Sequence, residues 1–317
     1  MANLSRRRFL TISVATSAAA LAPARLMAQT KAPIIWTGIV LGADASIKIY
    51  GDEAKAHLAI KTALSVIEEH ETQLSIYDPS SSLSRLNKSG KLDLHETRGG
   101  SLYQLTLQSK IINQNTNGLF DPTIQPLFEI YAKNKGYPSK ADLEKAKALI
   151  GIDKVETSNA SHLKFQQKGM ALTFNGIAQG FITDKVRQSL NRSGYGHALI
   201  NIGEYSAGTR PAKIGIADAH GDVFDIAVLR NQAIATSSPS TYLFPDGTSH
   251  ILHPSGNKKA AIWDTVSVVA ENAMLADGYS TALALAADEA LAKRLVARGV
   301  VQKVILKNTN GHVSNIG

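Results

Sequence analysis

The chain has 317 residues and no cysteine, with 34 basic and 26 acidic residues for a formal charge of +8, and 44% of it is apolar. The lack of cysteine excludes disulfides, thiolate zinc sites and cysteine nucleophiles, which leaves hard oxygen ligands and histidine for any metal chemistry. Residues 1–28 hold Arg6, Arg7, Arg8 and Arg25 and no acid, so residues 29–317 carry 30 bases and 26 acids, net +4, with no Lys/Arg run dense enough to suggest nucleic-acid binding.

The N-terminal stretch "SRRRFL" leads into a mildly apolar "TISVATSAAALAPA" and then small residues ending "LMAQT". That order predicts a twin-arginine signal peptide over residues 1–28, cleaved near Ala28, a mature chain beginning near Gln29, and export to the periplasm. No later stretch approaches the ~20 apolar residues a membrane helix requires, so residues 29–317 are expected to form a domain without a transmembrane segment.

Alternating runs bounded by Gly, Asp or Asn predict strands at "ASIKIY", "SHLKFQQ", "HALINIG", "AKIGIAD", "DTVSVVA" and "QKVILKN". Between them lie amphipathic helices. One carries the stripe Ile60, Ala63, Leu64 and Ile67, the next Leu102, Leu105 and Ile112, and the third Ala178, Ile182, Val186 and Leu190. The fold class expected is mixed α+β, with sheets carrying helices on their outer faces.

Polar and glycine signals interrupt that scaffold. Along "LSIYDPSSSLSRLNKSG" a serine cluster reads as a surface turn capping a short helix before Leu83 and Leu86. In "NGLFDPTIQPLFEIY" a tight Asn-Gly turn precedes a new element at Asp121, and Phe120 suits either the core or the face of a planar ligand. "FNGIAQGFITD" is a strand end before a glycine-flanked helix start, where exposed amides favour anions; it is neither a Walker loop nor G-x-G-x-x-G. "SHILHPSGN" sets His250 and His253 three apart, an unconvincing zinc pair without a third ligand nearby. Finally, "ENAMLADGYSTALAL" places Asp277 and Thr281 on one face of an apolar helix. Two readings are open for them: an acid near its helix dipole beside a threonine bonding its own turn, or a hard-cation site.

Taken in order, the blocks "LGADASI", "SSLSRLN", "GLFDPT", "GIAQG", "NIGEY", "HILHPSG" and "ADGYST" resemble the ApbE family, flavin transferases that move FMN from FAD to a threonine of a target protein. The resemblance runs from about Trp36 to the last strand and implies an ApbE-like, T-fold-like domain over 29–317. It implies a magnesium site made by the side chains of Asp277 and Thr281 and the backbone carbonyl of Ala178. It further implies flavin contacts from Leu41, Gly42, Tyr77, Leu119, Phe120, Asp121, Asn175, Gly176, His250 and Ile251, with His250 and Asp277 catalytic. The implied partners are FAD as substrate and an acceptor flavoprotein with a Ser/Thr-containing motif.

Several positions depart from the family pattern. Leu41 replaces methionine, Ala43 threonine, Gln179 lysine and His253 aspartate, while "NIGEY" has one glycine where two are usual, which is expected to displace Glu204. "FDPTIQPLFEIYA" with "NIGEY" looks like the NosX-type branch, associated with maturation of the nitrous oxide reductase system and its flavoprotein NosR. Two other functions remain compatible with these residues: an FAD pyrophosphatase giving FMN and AMP, and a non-catalytic exported FAD-binding protein.

Overall fold

The computed structural model of the protein describes residues 32–95, 100–157, 161–256 and 261–317. The leader expected over residues 1–28 lies outside the described residues. In chain order come β1 (Ile34–Val40), β2 (Ala43–Ile49), α1 (Glu53–Leu74), α2 (Ser82–Ser89), β3 (Lys91–Asp93) and α3 (Gly100–Asn115). Next are α4 (Gln125–Lys133), α5 (Lys140–Ala148), β4 (Val155–Glu156), β5 (His162–Phe165) and α6 (Ala178–Arg192). The remainder holds β6 (Leu199–Ile202), β7 (Tyr205–Ala207), β8 (Ala212–Ala217), β9 (Val223–Leu229), β10 (Gln232–Ser237) and β11 (Trp263–Ala270). It closes with α7 (Ala273–Leu283), α8 (Ala290–Ala297), β12 (Lys303–Asn308) and β13 (Val313–Ile316).

Eight strands form one antiparallel sheet in the order β1-β2-β6-β7-β10-β11-β12-β13, beside a three-stranded sheet β3-β5-β4 and the two-stranded β8-β9. All six expected strands and all three amphipathic helices are present. The alternation of each strand decides what covers it. On one face Ile47, Ile200, Val266, Val268 and Val304 pack with Ile60, Ala63 and Ile67 of α1, Ile182 and Val186 of α6, and Ala276 and Tyr279 of α7. The opposite face of this sheet is covered differently. There Ala207, Ile234, Val269 and Ile305 meet Ile214, Ile216, Ala227 and Leu229, so the β8-β9 hairpin is the cover. Because β11 is enclosed on both faces, its run "VSVVA" is buried throughout instead of alternating. Among the described residues no helix is long and apolar enough to cross a membrane.

A third cluster, Leu127, Tyr131, Ala146, Phe244 and Leu252, joins α4 and α5 to the segment between β10 and β11. This arrangement leaves a cleft where the start of α6, the middle of α7, the β6-β7 turn, the end of α1 and the 249–256 turn converge.

Candidate active site

The helix bearing the acid is fixed first. Asn272 caps α7 by accepting from Leu275 N (2.9 Å), and Asp184 of α6 reaches across to accept from Ala273 N and Met274 N, both at 2.9 Å. The donors of the first turn of α7 are thereby occupied from outside the helix. Asp277 lies beyond that turn, and its Oδ2 accepts from the backbone N–H of Gly180 in α6 at 3.0 Å. The acid therefore faces the positive end of α6 and not that of its own helix. Thr281 Oγ1 does not bond its own turn either: it donates to the Gly176 carbonyl at 3.3 Å and lies 3.5 Å from Ser237 Oγ. Both halves of the local explanation for this pair are thus replaced by contacts that join α7 to the start of α6 and to β10.

The close approach of the two helices depends on Gly180. A Cβ there would collide with the Ala273 carbonyl and come within 2.8 Å of the Asp277 Cβ. At the β6-β7 turn, Gly203 takes φ +83 and lies against the Gln179 side chain, and this single glycine suffices to turn the chain. Glu204, the next residue, has its carboxyl buried in the cleft wall, where Oε2 accepts from Thr236 N at 3.3 Å.

Asp277 and Glu204 are only 5% and 6% exposed. Burial pushes Asp277 up to about 7, opposed by the Gly180 N–H and aided by the charge of Asp184. Burial and then the charge of Asp277 push Glu204 well above the usual carboxylate range. Among the described residues neither acid has an ion-pair partner. Two enclosed carboxylates repelling one another, with the Thr281 and Ser237 hydroxyls and nearby carbonyls, form an all-oxygen donor set that fits a hard divalent cation. Among the described residues no group of three or more acid or histidine ligands gathers anywhere, and magnesium uses few protein ligands and completes its shell with water and phosphate. Ala178, the first residue of α6, lies in the same wall.

Above these acids opens a cavity of about 430 Å³, within the range of small-molecule sites. Leu41, Tyr77, Leu119, Phe120, Asp121, Asn175, Gly176, Ala178, His250, Ile251, Asp277 and Thr281 all line it. Gly42 is not among these lining residues; it takes φ +83 as the second residue of the β1-β2 turn. Two further expectations are narrowed. Phe120 is 4% exposed and packs in the core while forming part of the wall, whereas Tyr77 is 58% exposed at the rim, and Phe128 is a third aromatic in the lining. The carboxylate of Asp121 ties its own loop to the turn at Ile152–Lys154, accepting from Thr123 N at 2.9 Å and Ile152 N at 3.1 Å.

The serine block is both a cap and a frame. Ser81 caps α2, and the hydroxyl of Ser84 donates to the Ser75 carbonyl at 3.0 Å. Ser75 Oγ in turn accepts from Tyr77 N and Asp78 N, which sets Tyr77 at the cavity rim. His250 is held by two bonds to the Tyr242 carbonyl, from its backbone N (3.1 Å) and its Nδ1 (3.0 Å). Since a carbonyl only accepts, Nδ1 carries the proton and Nε2 the lone pair. Burial lowers the His250 pKa, favouring the neutral ring. His253 lines a separate pocket of about 140 Å³ and its Nδ1 accepts from Ser255 N, so the two histidines do not meet in one site.

Sequence reasoning leaves Gln179, Glu204, Thr236, Ser237 and Ala219 without a role, although all five line the cavity. The buried amide nitrogen of Gln179 has no hydrogen-bond partner. Only the hydroxyl run "ATSSPST" offers a local signal for Ser237; Ala219 reaches the cavity from the tip of the β8-β9 hairpin, which no local pattern encodes.

Residues 41–305 match the family model described as the ApbE family. An FAD:protein FMN transferase of Klebsiella pneumoniae (strain 342) is 25% identical over 264 residues, covering 78% of this chain and 81% of that protein. One of Salmonella typhimurium is 22% identical, covering 92% and 89%. Among solved structures, the ApbE protein of Thermotoga maritima is similar at TM-score 0.80 and 23% identity, covering 90% of this chain and 97% of that one. The apo flavinyl transferase ApbE of Pseudomonas stutzeri is similar at TM-score 0.78 and 22% identity, covering 92% and 97%.

Proposed function

The chain belongs to the ApbE family, and from that premise we propose that it is a magnesium-dependent FAD:protein FMN transferase acting on a threonine of an acceptor flavoprotein. The observation that carries the reading is the cavity itself, with two buried carboxylates at its floor and an exposed aromatic and a neutral histidine at its rim.

In this reaction the acceptor hydroxyl oxygen attacks the phosphorus of the FMN half of FAD. A new P–O bond forms, the pyrophosphate P–O bond breaks, and AMP departs with that electron pair. His250 Nε2 takes the hydroxyl proton, a task suited to a ring whose lone pair is already directed away from the Tyr242 carbonyl. Tyr77 orients the isoalloxazine by stacking, and Leu41, Leu119 and Ile251 shield it from water. Asp277, Thr281 and the Ala178 carbonyl would hold the magnesium ion, which when bound supplies neutralisation of the pyrophosphate charge.

The paired arginines and apolar run at the N-terminus support export by the twin-arginine route, with the acceptor in the periplasm or on the outer face of a membrane protein. The likeness of "FDPTIQPLFEIYA" to the NosX-type branch favours NosR as that acceptor. Purified protein incubated with FAD, magnesium and a threonine-bearing acceptor tests the proposal. Covalent, protein-bound flavin fluorescence is expected; free FMN instead would make the protein a pyrophosphatase, and unchanged FAD a carrier.

A further inference from the structure

We infer that Glu71 is a positioning residue whose carboxylate fixes Leu41 as a wall of the flavin cavity, an inference that rests on the transferase reading above. The β1-β2 hairpin pairs Val40 with Ala43, leaving Leu41 and Gly42 as a two-residue loop. Both take positive φ, +48 and +83, the signature of a type I′ turn. That turn favours Asn, Asp or Gly at its first position, because a Cβ-bearing side chain crowds the left-handed backbone. The other non-glycine residues with positive φ among the described residues are Asn117, Lys135 and Asn231. Leu41 is therefore the one large apolar side chain held in this conformation, and it points into the cavity.

An unfavourable conformation persists where the surroundings over-determine it, and such residues cluster at ligand clamps. Here the determinant is Glu71, whose Oε1 accepts from the Leu41 N–H at 2.7 Å across thirty residues of chain. Glu71 lies in the last turn of α1, which runs directly into Leu74, Ser75, Ile76 and Tyr77, all of which line the same cavity. One carboxylate thus ties the apolar wall at Leu41 to the segment that presents the aromatic at Tyr77. The hairpin would form with asparagine at position 41; what leucine adds is the wall.

The test uses the purified full chain with magnesium, titrating FAD by quenching of flavin fluorescence and recording the melting temperature in parallel. Glu71→Ala is expected to weaken FAD binding about 5–10-fold, the scale of one hydrogen bond. Glu71→Gln keeps an acceptor oxygen and is expected to bind within about twofold of the parent. Leu41→Asn suits the turn yet loses the wall, so FAD affinity should fall while the melting temperature stays at or above the parental one, a split that a merely structural residue would not produce. The double variant Glu71→Ala with Leu41→Asn should bind no more weakly than the poorer single, since both act through one contact. Parental affinity in Glu71→Ala, or full additivity in the double variant, would overturn the positioning role alone. A parent protein that binds no FAD would overturn the transferase reading and this inference with it.

Discussion

The floor and the rim of the cavity are built by opposite means. At the floor, Asp277 and Thr281 are placed by helix packing: α7 is set by Asp184 from a different helix, and Gly180 lets the two backbones meet. At the rim, Tyr77 and His250 are placed by short-range bonds, to Ser75 and to the Tyr242 carbonyl. A floor made of core elements does not yield when a ligand arrives, and it keeps two like charges enclosed that would otherwise separate. A rim made of turns can follow a substrate whose acceptor half is a second protein. Charge handling is thus assigned to the rigid part and recognition to the adaptable part.

This contrast can be broken most sharply at Asp277. Asp277→Ala is expected to cut transfer by about 10³-fold or more while leaving the melting temperature near that of the parent, because the buried carboxylate is unfavourable to the fold without a cation. Thr281→Val should lose less, since a neutral ligand goes and not a charge. Parental rates in Asp277→Ala at saturating magnesium would remove the floor from the chemistry.

At the rim, His250→Ala should slow transfer by about 10²–10⁴-fold with FAD affinity little changed. The sign of its pH dependence follows from the lowered pKa. The base acts when neutral, so with magnesium saturating the rate should fall as the pH drops and reach half its plateau only below the ordinary value of 6.5. A rate that already halves at or above pH 6.5 would assign the proton to another group.

The smallest of these effects is on folding. Gly180→Ala puts a methyl group where the Ala273 carbonyl lies and should cost about 1–3 kcal/mol in urea unfolding, the range for overpacking a close contact. An unchanged midpoint would show that the helices separate readily and that the floor is as adaptable as the rim.

The local parts of this molecule are legible in its sequence and the long-range parts are not. Strand alternation at "ASIKIY", the helix stripes and the caps at Ser81 and Asp121 are short-range consequences of backbone sterics and amphipathicity. The pairing of Asp277 with Glu204, 73 residues apart, depends on how α7 and the β6-β7 turn meet across α6, and no residue near either acid announces the other. Likewise, the β8-β9 hairpin has an alternation that says it covers something without saying what, and only the packing of Ile214 and Leu229 on Val269 and Ile305 identifies the second face of the large sheet.

The contact at Gly180 also bears on how this molecule can move. At Gly180 the backbone of α6 lies so close to the Ala273 carbonyl that not even a methyl group fits between them. The joint between α6 and α7 is therefore the stiff part of the site, along the line where its carboxylates are stored. An opening that admits FAD and releases AMP is then expected from the turns around the mouth, in segments of a few residues rather than by the motion of whole layers.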